Sequence, residues 1–128
     1  MTVVARVGSV TLDCADPRGL ADFYQAVTGA TREYDGDDYA TLGPVSPGGI
    51  NLSFQRVPGH RPPTWPDSGV PQQFHLDLYA ADPVKAEERL LELGATRAGH
   101  QPGEGRWTVF LDPAGHPFCL ARDPEPAA

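Results

Sequence analysis

Cysteine is scarce in this 128-residue chain: Cys14 and Cys119 are the only two, and neither has the close partners that a zinc knuckle or a disulfide framework needs. A reducing compartment fits that usage. Basic residues are also few, 10 against 17 acidic ones, for a net charge of −7 at pH 7. That balance works against nucleic acid, whose phosphates demand a basic surface, and favours neutral or cationic ligands. The same charge serves solubility by itself. Long apolar runs are missing, which excludes a membrane-spanning helix, and the N-terminal residues lack the apolar core of a signal peptide. The expectation is a cytoplasmic protein with no membrane or nucleic-acid partner. A hydrophobic content of 40 % can still build one ordinary core, or two half-domains sharing one.

What the chain has in plenty is itself. Ser9-Val10-Thr11-Leu12-Asp13-Cys14-Ala15-Asp16-Pro17 returns as His75-Leu76-Asp77-Leu78-Tyr79-Ala80-Ala81-Asp82-Pro83, an offset of 66 that recurs at Arg56 and Arg122. Gly29-Ala30-Thr31-Arg32 returns as Gly94-Ala95-Thr96-Arg97 at an offset of 65, as a one-residue deletion in the second copy's helix would give. The chain is a tandem of two related units, and chemistry belongs where the copies differ.

Each copy has the same order of elements. After a lead-in over residues 1–6, a strand is expected at 7–14, with Val10 and Leu12 alternating with Ser9, Thr11 and Asp13. Asp16-Pro17 then forms a helix N-cap with Pro at the first helical position. Leu20, Phe23, Tyr24 and Val27 sit at helical spacing, and Gly29 ends the helix. Strands follow at 30–34, 38–42 and 50–57, the first two joined by a tight turn at Asp35-Gly36-Asp37.

Pro58, Pro62, Pro63, Pro66 and Pro71 forbid a helix or a central strand in the linker, residues 58–72, whose Trp65 is expected to pack on the body or across a cavity mouth. The second copy predicts a strand at 73–79, a helix at 83–93, and strands at 95–100, 107–111 and 118–122. In that helix Val84, Ala86, Leu90, Leu91 and Leu93 supply the apolar contacts. Asp112-Pro113-Ala114-Gly115 is a turn, and the tail at 123–128 is expected to fray.

Strand period alone divides the sheet into two faces. Val10, Leu12, Leu52, Phe54, Leu76, Leu78, Phe118 and Leu120 form the side that two helices would cover. Ser9, Thr11, Asp13, Asn51, Ser53, Gln55, His75, Asp77, Tyr79 and Cys119, with Pro117 and Ala121, form the other. Trp107, Tyr39 and Tyr79 are expected near that second face, where aromatic walls with a few polar groups hold planar organic ligands. His60, His100 and His116 read as solvated.

The doubled strand-Asp-Pro-helix start and the closing run Asp112-Pro113-Ala114-Gly115-His116-Pro117-Phe118-Cys119-Leu120 resemble the vicinal oxygen chelate superfamily of glyoxalase, bleomycin-resistance and extradiol dioxygenase proteins. The resemblance spans nearly the whole chain. It implies an α+β fold in which two tandem βαβββ modules, here 7–57 and 73–122 of a single domain over 1–128, form a curved mixed-sheet cup. Metal-binding relatives place His, Gln or Glu on the first and fourth strands of each module, points that fall here on Ser9, Ser53, His75 and Cys119. His75 alone matches that chemistry, so the expectation is no cofactor; the alternative is a divalent metal held by His75 with Cys119.

Two functions stay open. One is a metal-free binder of a small organic, cationic or aromatic molecule, similar to the bleomycin-resistance branch, with Ser9, Thr11, Asp13, Ser53, Gln55, Trp65, His75, Tyr79, Trp107 and Cys119 around the ligand. The other is a lyase, isomerase or dioxygenase with an atypical metal site, or an acid–base catalyst built on His75 and Asp77. A partner or regulatory domain is a third possibility, since fold does not set function. The resemblance also implies a homodimer.

Overall fold

The computed structural model describes residues 9–46, 48–71 and 73–123. The expected lead-in, the strand start at residues 7 and 8 and the tail beyond residue 123 lie outside them. The chain divides into two compact units, with the boundary between His60 and Arg61.

The first unit consists of β1 (Ser9–Cys14), α1 (Pro17–Thr28), β2 (Arg32–Asp35), β3 (Tyr39–Leu42) and β4 (Asn51–Arg56). Its sheet has the order β1-β4-β3-β2, with β1 and β4 parallel and the other pairs antiparallel. The second unit repeats this plan with β5 (Leu76–Ala80), α2 (Pro83–Glu92), β6 (Thr96–Arg97), β7 (Trp107–Leu111) and β8 (Pro117–Arg122), in the order β5-β8-β7-β6. The element order is the one that the doubled sequence predicts, and the mixed sheets with two helices are what the family resemblance implies. Equivalent residues close both parallel pairs: Val57 N–H donates to Cys14 O, and Asp123 N–H to Ala80 O, each at 2.9 Å.

The short repeated motifs have visible causes. Asp16 and Asp82 each accept a hydrogen bond from a backbone N–H of the first helical turn, Gly19 and Lys85 respectively, while Pro17 and Pro83 take positions that need no N–H partner. Gly29 and Gly94 are left-handed (φ 74° and 109°), the conformation that releases the chain from each helix. The arginine closing each Gly-Ala-Thr-Arg run ties its strand back to the helix: Arg32 pairs with Asp22 and Asp35, and Arg97 with Glu87.

Beneath α1 lie Leu12, Cys14, Ala40, Leu42, Leu52 and Phe54, all buried, with the Tyr24 ring stacked 5.7 Å from that of Phe54. In the second unit Phe110 and Phe118 stack at 5.6 Å. Helix α2 covers its sheet more sparingly than its sequence suggests. Leu90 is its one buried residue, whereas Val84 is 69 % and Leu91 45 % exposed, so these two do not serve as core contacts. Leu91 follows Leu90 and therefore points about 100° around the helix from the buried stripe.

The strand expected at 95–100 is two residues long. Beyond it the Gln101 side chain stands in for a strand, donating to Ala98 O and Val109 O and accepting from Val109 N–H. His116 is 0 % exposed rather than solvated; its ring packs 4.9 Å from that of Phe74, and its N–H donates to Asp112 Oδ1. Among the described residues no helix is long and apolar enough to cross a membrane.

The uneven cover of α2 gives a contrast between adjacent leucines. Leu90→Ala is expected to cost about 2–5 kcal/mol in a denaturant melt and Leu91→Ala less than about 0.5 kcal/mol; equal losses would contradict this burial.

Candidate functional site

The second unit holds a cavity of about 410 Å³ lined by His75, Asp77, Leu78, Tyr79, Trp107, Cys119 and Ala121. Sheet register explains why these residues meet. On the face turned from α2, Tyr79 of β5 stands opposite Ala121 of β8, which stands opposite Trp107 of β7. One step along, Asp77 faces Cys119 and Cys119 faces Val109. Two aromatic side chains thus flank the small Ala121, with a carboxylate and a thiol in the adjoining row. The β7 and β8 part of this face is otherwise apolar, since Val109 and Pro117 are buried, so its polar chemistry comes chiefly from β5 and its approach.

His75 lies just before β5 begins, and its Nε2 is 3.7 Å from Asp77 Oδ2, close enough for an ion pair but too far for a hydrogen bond. Cys119 is the titratable group that the cavity perturbs. Burial pushes its thiol pKa up, and the charge of Asp77 and a hydrogen bond to that carboxylate push the same way. A thiol held in its protonated form is not a ready nucleophile.

The first unit's corresponding face carries Thr11 opposite Ser53 and Asp13 opposite Gln55, with Ser9 opposite Asn51. Ser53 Oγ is hydrogen-bonded to Thr41 Oγ1 at 3.1 Å. Tyr39 faces Gln55, the position Trp107 holds in the second unit, and stacks 4.3 Å from Tyr34. Trp65 does not line the cavity; its ring lies 5.5 Å from that of His100.

Among the described residues no three His, Cys, Asp or Glu side chains are grouped so as to hold a metal ion. Of the points that the family resemblance assigns to ligands, Ser9 and Ser53 in the first unit carry neutral hydroxyls, and His75 and Cys119 in the second supply one imidazole and one thiol. This donor set does not fit a divalent ion.

The facing of Asp77 and Cys119 went unread in the sequence, where the resemblance instead groups His75 with Cys119. Asp77 and Cys119 occupy the repeat positions of Thr11 and Ser53, which also face each other, but that register is a property of the paired strands and leaves no signal in the sequence. Because the Asp77 charge disfavours the thiolate, Asp77→Asn should lower the Cys119 pKa. Iodoacetamide labelling of Cys119, followed by peptide mass spectrometry across pH 7–10, should then rise at lower pH in the variant; an unchanged profile would remove Asp77 as a cause.

Residues 9–121 match the family described as the glyoxalase-like domain. No curated protein is detectably similar in sequence. The fold is similar to that of a glyoxalase/bleomycin resistance protein/dioxygenase family enzyme from Burkholderia phytofirmans PsJN, at 16 % identity and a TM-score of 0.70, covering 92 % of this chain and 98 % of that one. It is also similar to the fosfomycin resistance protein FosX from Mesorhizobium loti (17 % identity, TM-score 0.66, 94 % of each chain). The bleomycin-binding protein of Streptomyces verticillus, in complex with copper(II)-bleomycin, matches at 18 % identity and a TM-score of 0.56, over 95 % of this chain and 99 % of that one. With the doubled βαβββ plan and a family match across nearly its whole length, the chain belongs to the glyoxalase-like domain family of the vicinal oxygen chelate superfamily.

Proposed function

We propose that this glyoxalase-like protein binds a small, flat organic molecule of cationic or aromatic character in the cavity of its second unit, without a metal. The row Tyr79, Ala121, Trp107 is the observation that carries the reading. Strands β5 and β7 lie on either side of β8, so the two aromatic positions are separated by two strand spacings, roughly 9–10 Å. A ring in contact with an aromatic face on each side needs about 3.5–4 Å on each, which leaves the thickness of one planar group above Ala121. Asp77, in the next row, supplies the counter-charge for a cation, in keeping with the net charge of −7. The bleomycin-binding and fosfomycin-resistance relatives make a role with an antibiotic-like compound a natural extension. In this reading the two units act as one cytoplasmic domain that pairs as a homodimer.

A second reading has one observation in its favour, the approach of His75 Nε2 to Asp77 Oδ2. An imidazole beside a carboxylate at a cavity edge can exchange a proton with a bound substrate while the carboxylate orients it. That geometry would suit an isomerase or lyase working without Lewis-acid assistance.

Ethidium, a planar aromatic cation followed by its own emission, is a suitable first probe. Saturable binding is expected, lost in Trp107→Ala and weakened about tenfold in Asp77→Asn, the scale of one partly desolvated charge contact. Unsaturable binding, or binding indifferent to both substitutions, would sink the reading. On the same preparation, elemental analysis should find less than stoichiometric divalent metal, and sedimentation at micromolar concentration should show a dimer; bound metal or a monomer would each remove that part.

A further inference from the structure

We infer that the width of this cavity is set from outside it, by the turn preceding β7, in which Gly103 and Arg106 hold the Trp107 indole away from Tyr79. Gly103 and Arg106 are positioning residues that restrict the cavity to flat ligands. The inference rests on the proposed ligand-binding role in what it says of ligands, but not in what it says of the indole.

Gly103 is buried, and the indole packs directly on its backbone. A Cβ there would meet the Trp107 carbonyl oxygen first and would lie 2.8 Å from Trp107 Cδ2 and 3.0 Å from Cε2. Carbon atoms have a contact optimum of about 3.5–4.0 Å, so the ring would have to move to admit that Cβ. The Trp107 indole and carbonyl occupy the space that a side chain at position 103 would fill.

Arg106 completes the arrangement. Its backbone N–H donates to Gly103 O at 3.0 Å and its Nε to the same oxygen at 3.3 Å, while its guanidinium carbon lies 5.0 Å from the Trp107 ring centroid. One side chain therefore closes the turn and covers the indole. The turn needs left-handed backbone at Glu104 (φ 52°) and Gly105 (φ 85°) to bring Arg106 back over Gly103. On the far side of the turn, the Gln101 amide is hydrogen-bonded to both backbone groups of Val109, two residues beyond Trp107. The segment is pinned at both ends, so the indole meets a ligand as a pre-placed wall, and little ordering is left to occur on binding.

Lysine cannot replace Arg106 in this role. It keeps the charge but has no planar group to lie over the ring and no Nε to bond Gly103 O. Trp107 and Tyr79 flank Ala121 from the two neighbouring strands, so any shift of the indole toward Tyr79 narrows the space above Ala121.

The test uses Trp65→Phe protein, in which Trp107 is the single tryptophan. Arg106→Lys in that background is expected to raise acrylamide quenching of Trp107 and to weaken ethidium binding about two- to fivefold, the scale of a lost exposed cation–π contact, with far-UV circular dichroism unchanged. Gly103→Ala should shift the Trp107 emission maximum and abolish ethidium binding. Should Gly103→Ala fail to fold, Arg106→Lys decides alone. If the parent binds no ethidium, the ligand reading fails, while quenching still tests whether Arg106 holds the indole. Quenching unchanged in Arg106→Lys overturns the inference. So does ethidium affinity unchanged in both variants of a parent that binds it.

Discussion

Parallel pairing of the first and last strand in each unit is the constraint on which everything else depends. Parallel neighbours cannot be joined by a tight turn, so the chain between them must cross over. Here a helix and a hairpin make that crossing, which accounts for the order strand, helix and three strands in both copies. Once β4 and β8 sit between neighbours, the two-residue strand period sends alternate side chains to a helix-covered side and an open side. Phe54 and Phe118 go under the helices, while Ser53 and Cys119 go to the other face.

The duplicated backbone separates what is structural from what is chemical. Both copies keep the aspartate cap, the proline after it, the left-handed glycine and the arginine that ties strand to helix. They diverge on the open face, where Thr11 and Ser53 in one unit stand in for Asp77 and Cys119 in the other. The polar first-unit row can share hydrogen bonds, as Ser53 and Thr41 do. In the second unit burial, helped by the adjacent Asp77 carboxylate, raises the Cys119 thiol pKa, and a tryptophan takes the place of Tyr39. A protonated thiol on that face is poorly suited to nucleophilic attack.

The misjudged features share a cause, which is that each depends on a neighbour remote in sequence. His116 follows a turn, a place that usually faces water, yet Phe74 and the Asp112 turn enclose it. Val84 and Leu91 have the apolar character of core residues, but the sheet beneath α2 meets only the Leu90 stripe. The second strand of the second copy stops after Arg97, where the Gln101 side chain takes the Val109 N–H and shares Val109 O with the Ala98 N–H.

What the sequence determined by itself was the doubled architecture, both helices with their caps, and the division of each strand into two faces. These depend on local backbone preferences and on periodicity, which survive without knowledge of partners. Only the tertiary structure decided that Asp77 rather than His75 faces Cys119, that Trp107 and Tyr79 flank Ala121, and that Gly103 supports the indole. Those contacts depend on strand register and on the path of one turn. Register is a cooperative property of paired strands, so it cannot be read from either strand alone.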